Sequence, residues 1–437
     1  MADRKWRLGV AGLGTVGAGL LQFLAGNPRF APAGGVAEVV GVSARSRSRP
    51  RPVDISGLNW FDDPVALASS DNVDVFVELI GGSDGTAKAA VEAALSRGKP
   101  VVTANKALIA EHGRELAKLA EANGAPLLFE AAVMGGTPAV KMLREAMVGD
   151  EVMAVAGILN GTCNYILTEM EALLDRGGQG PPDAFATVLA EAQRLGYAEA
   201  DPTMDIGGFD AAHKITLLAA LAFGRAPNFA AAEIEGVQGV ELLDIRLARD
   251  LGYRIKLVAA AMREADGVSV RVYPALAPLN HPLALTSGVL NALFIEGRRI
   301  GRIFIQGPGA GAGPTAAAVA ADIADVMTGA RRPVFQRPAD ELEPFTRIDA
   351  SRHRSRAYIR LLVRDQPGVI AAVSETIAEA GVSIDSFYQR PVEDAGGVPI
   401  VLTTHEAPES VLHEAVGRIA GLDAVVATPR MLRIAPI

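Results

Sequence analysis

Through the first third of the chain, short apolar runs bounded by glycine, proline or polar clusters alternate with stretches of helical period. Residues 6–11 (Trp-Arg-Leu-Gly-Val-Ala) predict a buried strand, a glycine turn follows, and Val16 to Leu24 has the length of a helix. Further strands are predicted at 37–43, 73–80, 100–103 and 126–130, with helices over 84–97 and 106–123. Strands that alternate with helices build a parallel sheet wound on both faces. From about 131 to 330 the alternation loosens. A strand-like run at 151–158, an alanine-rich helix at 208–224 and two apolar stretches at 254–262 and 267–275, expected to be antiparallel strands, suggest an α+β domain. The helix after Pro314 is apolar on one face and is expected to pack back on the first domain. Residues 331–356 mix proline and charge without a period, which is the composition of a linker. Beyond it, a strand at 357–363, a helix at 369–380, strands at 382–390 and 398–404, a helix at 408–419 and a strand at 423–433 follow in the order βαββαβ, the ferredoxin-like split unit.

Bulk composition narrows the classes. A chain of 437 residues exceeds one core, and the size prior is about two to four domains. The net charge of −8 predicts no broad cationic surface, so nucleic acid is not an expected partner. The single cysteine, Cys163, excludes an intramolecular disulfide and an all-cysteine metal site, and it fits a reducing compartment. The opening MADRKWRLGVAG lacks an apolar signal region, and no apolar run approaches the ~20 residues of a bilayer span. A cytoplasmic protein with no membrane partner is expected.

Gly12-Leu13-Gly14-Thr15-Val16-Gly17 fits G-x-G-x-x-G between a strand and a helix. In that context Gly12 permits the turn, Gly14 lets the backbone approach a pyrophosphate, and Gly17 allows close helix–strand packing. The anion would sit on the unpaired N–H groups of the helix start. A structural glycine turn is the alternative. At the end of the second strand the chain runs Ser43-Ala44-Arg45-Ser46-Arg47-Ser48-Arg49, with no acid in reach of a ribose. Arginine suits a 2′-phosphate, so NADP is favoured, NAD remains open, and a solvated basic loop is the bland reading.

Two lysines carry the candidate chemistry. Lys106 follows a strand's carboxyl end, where ligands gather in open α/β sheets, although a solvent-facing lysine at a helix start reads the same way. Asp210 and Lys214 are i and i+4, and their helix face continues to Leu217 and Leu221, so it turns inward. An exposed ion pair would have the same spacing. Glu199 and Asp205, on a Gly/Pro-interrupted loop beside that buried stripe, tip the reading toward a polar ligand site. His213 and Cys163 read as structural.

These motifs together resemble one family, homoserine dehydrogenase. The stretch Ala192-x-x-x-Gly196-Tyr197-Ala198-Glu199-Ala200-Asp201-Pro202-x-x-Asp205-Ile206-x-Gly208-x-Asp210-x-x-x-Lys214 resembles its signature throughout. Glu78-Leu-Ile-Gly-Gly82, Val102-Thr-Ala-Asn-Lys106, Glu130-Ala-Ala-Val-Met-Gly-Gly-Thr-Pro138, Ile158-Leu-Asn-Gly-Thr-Cys-Asn164 and Gly307-Pro-Gly-Ala-Gly311 resemble its other blocks, in order. The resemblance implies an NAD(P)-dependent oxidoreductase that interconverts L-homoserine and aspartate 4-semialdehyde. Lys214 would move the proton at the C4 oxygen, and Lys106 would lie beside cofactor and substrate. Glu199, Asp205, Asp210 and Gly196 would hold the substrate. Thr103, Gly82 and Gly309 would join the glycine loop and Arg45 on the cofactor side. Glu130, Val133, Gly135 and Thr137 match positions that bind a structural monovalent cation such as Na+, mostly through backbone carbonyls. Ser83-Asp84-Gly85-Thr86 departs from a more usual proline-containing helix start, and Cys163 replaces a common hydroxyl residue.

The implied mechanism favours reduction near neutrality, because an ordinary lysine is protonated there and can donate to the alkoxide. The C-terminal unit resembles an ACT domain, through Asp365-Gln366-Pro367-Gly368 and Ala380-Gly381-Val382-Ser383-Ile384. Threonine is the implied effector, and a dimerisation module without ligand is the alternative. The expected architecture is a Rossmann-type doubly wound sheet (1–135), an α+β substrate and dimerisation domain (136–313), the linker (331–356) and an ACT-like module (357–437) in a homodimer or homotetramer. A cofactor-sensing regulator without turnover is the rival function.

Overall fold

A computed structural model describes residues 4–27, 30, 35–176, 181, 183–264, 267–348, 353–389 and 396–435. Lys5–Ala11 (β1), Val36–Ser43 (β2), Asn59–Phe61 (β3), Val75–Glu78 (β4), Val101–Thr103 (β5) and Leu127–Leu128 (β6) form a parallel sheet in the order β3-β2-β1-β4-β5-β6. Leu8, Val10, Val75 and Val77 are fully buried, as the central strands of a sheet covered on both faces must be. Helices Thr86–Ser96 and Lys106–Ala122 follow β4 and β5, and Thr15–Gly26 follows β1. The helix Ala312–Thr328 returns from the second domain to pack on Thr15–Gly26, where a Cβ on Gly19 would come within 2.7 Å of the Ala312 carbonyl. The strand order reverses at β1, with β2 and β3 added on one side and β4 to β6 on the other, so a crevice opens beyond the carboxyl ends of β1 and β4. Strand β3 has three residues, too few to show a period.

The second sheet draws on Val152–Ile158 (β7), Glu233–Ile234 (β8), Tyr253–Glu264 (β9), Gly267–Pro278 (β10), Leu290–Gly297 (β11), Gly301–Pro308 (β12), Arg354–Val363 (β13), Ile384–Gln389 (β14), Val398–Thr404 (β15), Ala407–Pro408 (β16) and Arg430–Ile434 (β17). Its order is β12-β11-β7-β9-β10-β17-β13-β15-β14, with β8 on β10 and β16 on β13. Strands β9 and β10 are antiparallel, as their sequence predicts. Helix Phe209–Phe223 lies against β7, β9 and β10, and stops at Gly224, whose φ of +58° supplies the left-handed cap.

The C-terminal unit has its own core under helices Val369–Glu379 and Glu409–Ala420, including Ile359, Leu361, Val373, Leu412 and Ile419. It is not a bead on a string. Strand β17 runs parallel to β10 through Ala275↔Arg433 and Leu276↔Ile434, and the Ala435 N–H donates to the Leu276 carbonyl at 2.9 Å. Arg271 grips the Glu409 carboxylate with two bonds of 2.9 and 2.8 Å, and Arg360 donates to Asp244 at 2.7 Å. Buried pairs of this kind are costly to break one partner at a time.

The stretch expected as a linker is packed over its described part. Val334, Phe335, Leu342, Phe345 and Ile348 are buried, Gln336 Nε2 donates to the Leu143 carbonyl at 2.7 Å, and the Ala339 N–H donates to Glu121 at 2.8 Å. A composition average hides such isolated apolar anchors. Among the described residues no helix is long and apolar enough to cross a membrane.

Candidate active site

Helix Phe209–Phe223 delivers its acid and its lysine into the crevice from below. Lys214 and Asp210 are 8% and 9% exposed, which settles the question their spacing left open: the face turns inward. The Lys214 ammonium donates to the Leu159 carbonyl at 2.7 Å and to Asp210 Oδ2 at 2.8 Å. Lys106, the first residue of its helix, reaches Asp210 Oδ1 at 3.1 Å. It stands on the cavity wall, half-buried and paired with that carboxylate. One carboxylate therefore joins a lysine from each domain. Burial alone would push the Asp210 carboxyl up, but the Lys214 and Lys106 ammonium groups, with bonds from Lys214 and Asn160, hold it far below its ordinary value. Lys106 in turn is raised, first by the Asp210 charge and against its own desolvation.

Sequence reading missed Asn160. It caps helix Gly161–Asp175, its side-chain oxygen accepting from the Cys163 N–H at 2.7 Å. Its amide nitrogen donates to Asp205 Oδ1 at 2.7 Å and to Asp210 Oδ2 at 2.9 Å. Two carboxylates would repel at this separation without that donor. Burial raises the Asp205 carboxyl, the Asn160 bond opposes the rise, and Asp210 adds to it. Asn291 was missed too. Its amide nitrogen donates at 3.0 Å to the same Leu159 carbonyl that Lys214 uses, while its buried oxygen has no hydrogen-bond partner among the described residues and the residue lines the cavity. The only available signal was its polarity inside an apolar run.

These groups share one cavity of 670 Å³ between the two domains, with Glu199 and Gly196 on its wall. Gly196 turns there with φ of +76°. On the nucleotide side the cavity takes in Thr15, Val16 and Gly309. A Cβ on Gly309 would meet the Asn291 side chain at 2.2 Å. Gly12 has φ of +98° and Gly17 approaches the Gly12 carbonyl so closely that no Cβ fits, while open space lies beside Gly14. Gly14 offers no side-chain cap to helix Thr15–Gly26, so the N–H groups of its first turn remain for an anion.

Not every residue expected on the cofactor side lines this cavity. Leu13 is buried in the core, and the Thr103 hydroxyl donates to Glu78 inside the domain. Glu78 also accepts from the Ile80 and Gly81 N–H groups, and Gly82 gives its carbonyl to Asn105 Nδ2 at 2.7 Å, so these residues shape the loop after β4. Arg45 is exposed, and its neighbours Arg47, Arg49 and Arg51 line a separate hollow with Trp60 beyond the end of β2. Cys163 is fully buried, its thiol bonded to the Asp205 carbonyl and pushed well up by burial. It is no nucleophile. His213 is buried against Phe229, with ring centroids 4.1 Å apart.

The loop from Glu130 to Thr137 carries the four residues expected to hold a monovalent cation. Val133 lines the cavity, Gly135 turns with φ of +50° against the Gly309 carbonyl, and the Thr137 hydroxyl is buried with no partner among the described residues. Oxygen donors with an unmet hydroxyl suit a hard cation. The Glu130 carboxylate faces elsewhere: it accepts from the Val140 and Lys141 N–H groups at 3.1 and 2.7 Å, so such a role would fall to its backbone carbonyl, which accepts from the Val133 N–H at 3.4 Å.

Comparison with known proteins agrees in every domain. The family model described as homoserine dehydrogenase matches residues 138–324, that for the homoserine dehydrogenase NAD binding domain residues 12–130, and that for the ACT domain residues 357–424. A homoserine dehydrogenase of Neisseria gonorrhoeae is 40% identical over 435 residues, 98% of each chain. The crystal structure of a homoserine dehydrogenase from Thiobacillus denitrificans is similar with TM-score 0.89 and 39% identity over 99% of both chains. A hyperthermophilic archaeal homoserine dehydrogenase in complex with NADPH is similar with TM-score 0.64 and 26% identity, over 76% of this chain and 100% of that one. None of these relatives favours a cofactor sensor without turnover. The chain is an oxidoreductase that belongs to the homoserine dehydrogenase family.

Proposed function

We propose that Lys214 is the proton donor and acceptor at the C4 oxygen as this cleft interconverts L-homoserine and aspartate 4-semialdehyde. The observation that carries the assignment is its ammonium: two of three N–H donors go to Leu159 and Asp210, and the third is left for a ligand oxygen in the cavity. Lys106, on the other side of Asp210, contacts both substrate and cofactor. Glu199, Asp205 and Asp210 outnumber the two lysines by one charge, which attracts the substrate's ammonium, and Gly196 shapes the wall beside them. The bound nicotinamide supplies or takes the hydride. In reduction Lys214 protonates the C4 oxygen; in oxidation it must first lose its proton, so homoserine oxidation accelerates with rising pH and reduction exceeds it at pH 7.

The glycine loop would hold the pyrophosphate and Arg45 a 2′-phosphate, so NADP is the preferred cofactor. That the archaeal relative was solved with NADPH supports this. The backbone at Glu130, Val133 and Gly135 with Thr137 would hold a structural Na+. The chain works as a homodimer or homotetramer in the cytoplasm, with threonine as effector at the C-terminal module. Lys214→Ala tests the central claim: cofactor affinity stays, and turnover falls by about 10²–10⁴-fold. Turnover within about threefold of the parent chain would overturn it.

A further inference from the structure

We propose that residues 235–237 are a positioning strap for the reaction: they set where Asp205 points, and Arg433 of the C-terminal module holds them in place. The inference rests on the reading of Asp205 as an acid that binds the substrate's ammonium. Asp205 sits on helix Thr203–Ile206, a single turn of four residues with no side-chain cap, between Gly196 at φ of +76° and Gly208 at φ of +85°. A helix so short has no stability of its own, and contacts from outside must fix it. Two come from the neighbouring helix start: Asn160 donates to Asp205 Oδ1 and the Cys163 thiol to the Asp205 carbonyl.

The strap supplies the rest. The Val237 N–H donates to the Ile206 carbonyl at 2.9 Å, one residue after the acid. Gly236 lies so close that a Cβ there would come within 2.3 Å of that carbonyl oxygen and 2.8 Å of the Gly207 Cα. Both are backbone atoms, which cannot swing aside as the end of a side chain does. Where the chain leaves the turn, a Cβ on Gly208 would meet the Ile234 and Val272 side chains at 3.2 Å. The strap itself is anchored. It continues from β8, which pairs with β10 through Arg271↔Glu233 and Val272↔Ile234. The Glu235 N–H donates to the Val272 carbonyl at 2.8 Å, and Val237 is fully buried.

The module reaches the same segment. Strand β9 takes one edge of β10 along its whole length, so β8 and β17 share the other, at the nearby positions 271–272 and 275–276. Arg433 of β17 donates from Nη1 to Glu235 Oε2 at 2.7 Å, and the Arg430 guanidinium lies against Gly239. The module's last strand and the substrate turn therefore meet on three residues. No residue of this joint belongs to the nucleotide domain, so its effect falls on homoserine and not on the cofactor.

The test is steady-state kinetics of the full-length chain, with homoserine and NADP+ varied separately. Gly236→Ala should raise KM for homoserine about 5- to 100-fold, the effect of forcing a methyl group into closed packing, while KM for NADP+ holds. In an Asp205→Asn background the same substitution should add little, because the acid it misplaces is gone. Glu235→Ala, at an exposed position that leaves folding intact, should raise the same KM about two- to fivefold. If Asp205→Asn raises KM for homoserine and both strap variants leave it unchanged, the strap alone is overturned. An Asp205→Asn enzyme with the parental KM removes the substrate role of Asp205 and the strap with it. Equal rises in both KM values, or full additivity with Asp205→Asn, would mark a general loosening and overturn the positioning role.

Discussion

Asn160→Ala tests how the acid cluster is held. The side chain's orientation is fixed by chemistry: the Cys163 N–H needs its oxygen, and Asp205 and Asp210 need its nitrogen. Alanine removes the helix cap, worth about 1 kcal/mol, and two hydrogen bonds to charged acceptors, worth about 1.5–3 kcal/mol each when intact. The two losses do not fall equally. Asp210 keeps both lysines at 2.8 and 3.1 Å, whereas against its burial Asp205 has the Asn160 bond first and, after it, only the more remote charges of Lys214 and Lys106. Asp205 therefore swings or takes up a proton, and one bond's worth of substrate positioning goes with it. Loss of that single interaction predicts a fall in kcat/KM for homoserine of about 10- to 150-fold.

Asn160→Asp separates the cap from the donor. Aspartate caps a helix as well as asparagine does, so the lost ~1 kcal/mol returns. Its carboxylate, however, faces two others where a donor stood, so activity should drop below that of the alanine variant. The assay is kcat/KM for homoserine oxidation beside urea unfolding, with cofactor affinity as the control that stays fixed. An Asn160→Asp enzyme within threefold of the parent would falsify the idea that this amide holds the carboxylates apart.

Glu409→Gln should weaken the junction with the C-terminal module at neutral pH. Burial would raise this carboxyl, but bonds and charge from Arg271 and Arg433 bring it to about 2. Such a depressed acid stabilises fully above the unfolded carboxylate range and loses that contribution as pH falls through about 2, so the parent and the variant, separated by ~2–3 kcal/mol in urea at pH 7, should converge in acid. Gly309→Ala drives a methyl group to 2.2 Å from the Asn291 side chain, and a stability loss of about 1–3 kcal/mol together with lost turnover is expected; an unchanged enzyme would show that the strand end moves freely. Arg45→Ala should raise KM for NADPH and leave that for NADH unchanged, and an equal effect on both would remove the 2′-phosphate role. Threonine titrated into the full-length chain should give saturable heat and inhibition, since β17 ties the module to β10 and an isolated fragment would lose that edge; no heat would leave a module without that ligand.

What the sequence made legible was local. The glycine loop, the alternation around it and the inward stripe from Asp210 to Leu221 are written in neighbouring residues, and the structure has them where the period predicts. Strands β11 and β12 went unread because β11 is defined by β7, well over a hundred residues earlier in the chain, and a short apolar run alone does not say strand or helix. The packed stretch around Phe335 failed for a related reason: proline and charge dominate its average, while a few separated aromatic and aliphatic side chains decide its position.

The site follows the same division. Residue types announce capacity for charge, but only distance decides what each charge does. Lys106 and Asp210 are over a hundred residues apart in sequence and 3.1 Å apart in space, so the ambiguity between a solvent lysine and a cavity lysine could not be resolved from either neighbourhood. Asn160 is the sharper case. Read locally it is an ordinary cap, with a preference that any helix start explains. Its second function exists only because the short helix Thr203–Ile206 and the start of helix Phe209–Phe223 come against that helix start and present two acids to the half of the amide that capping leaves unused. A residue whose two ends answer to different scales of structure is legible at one end only.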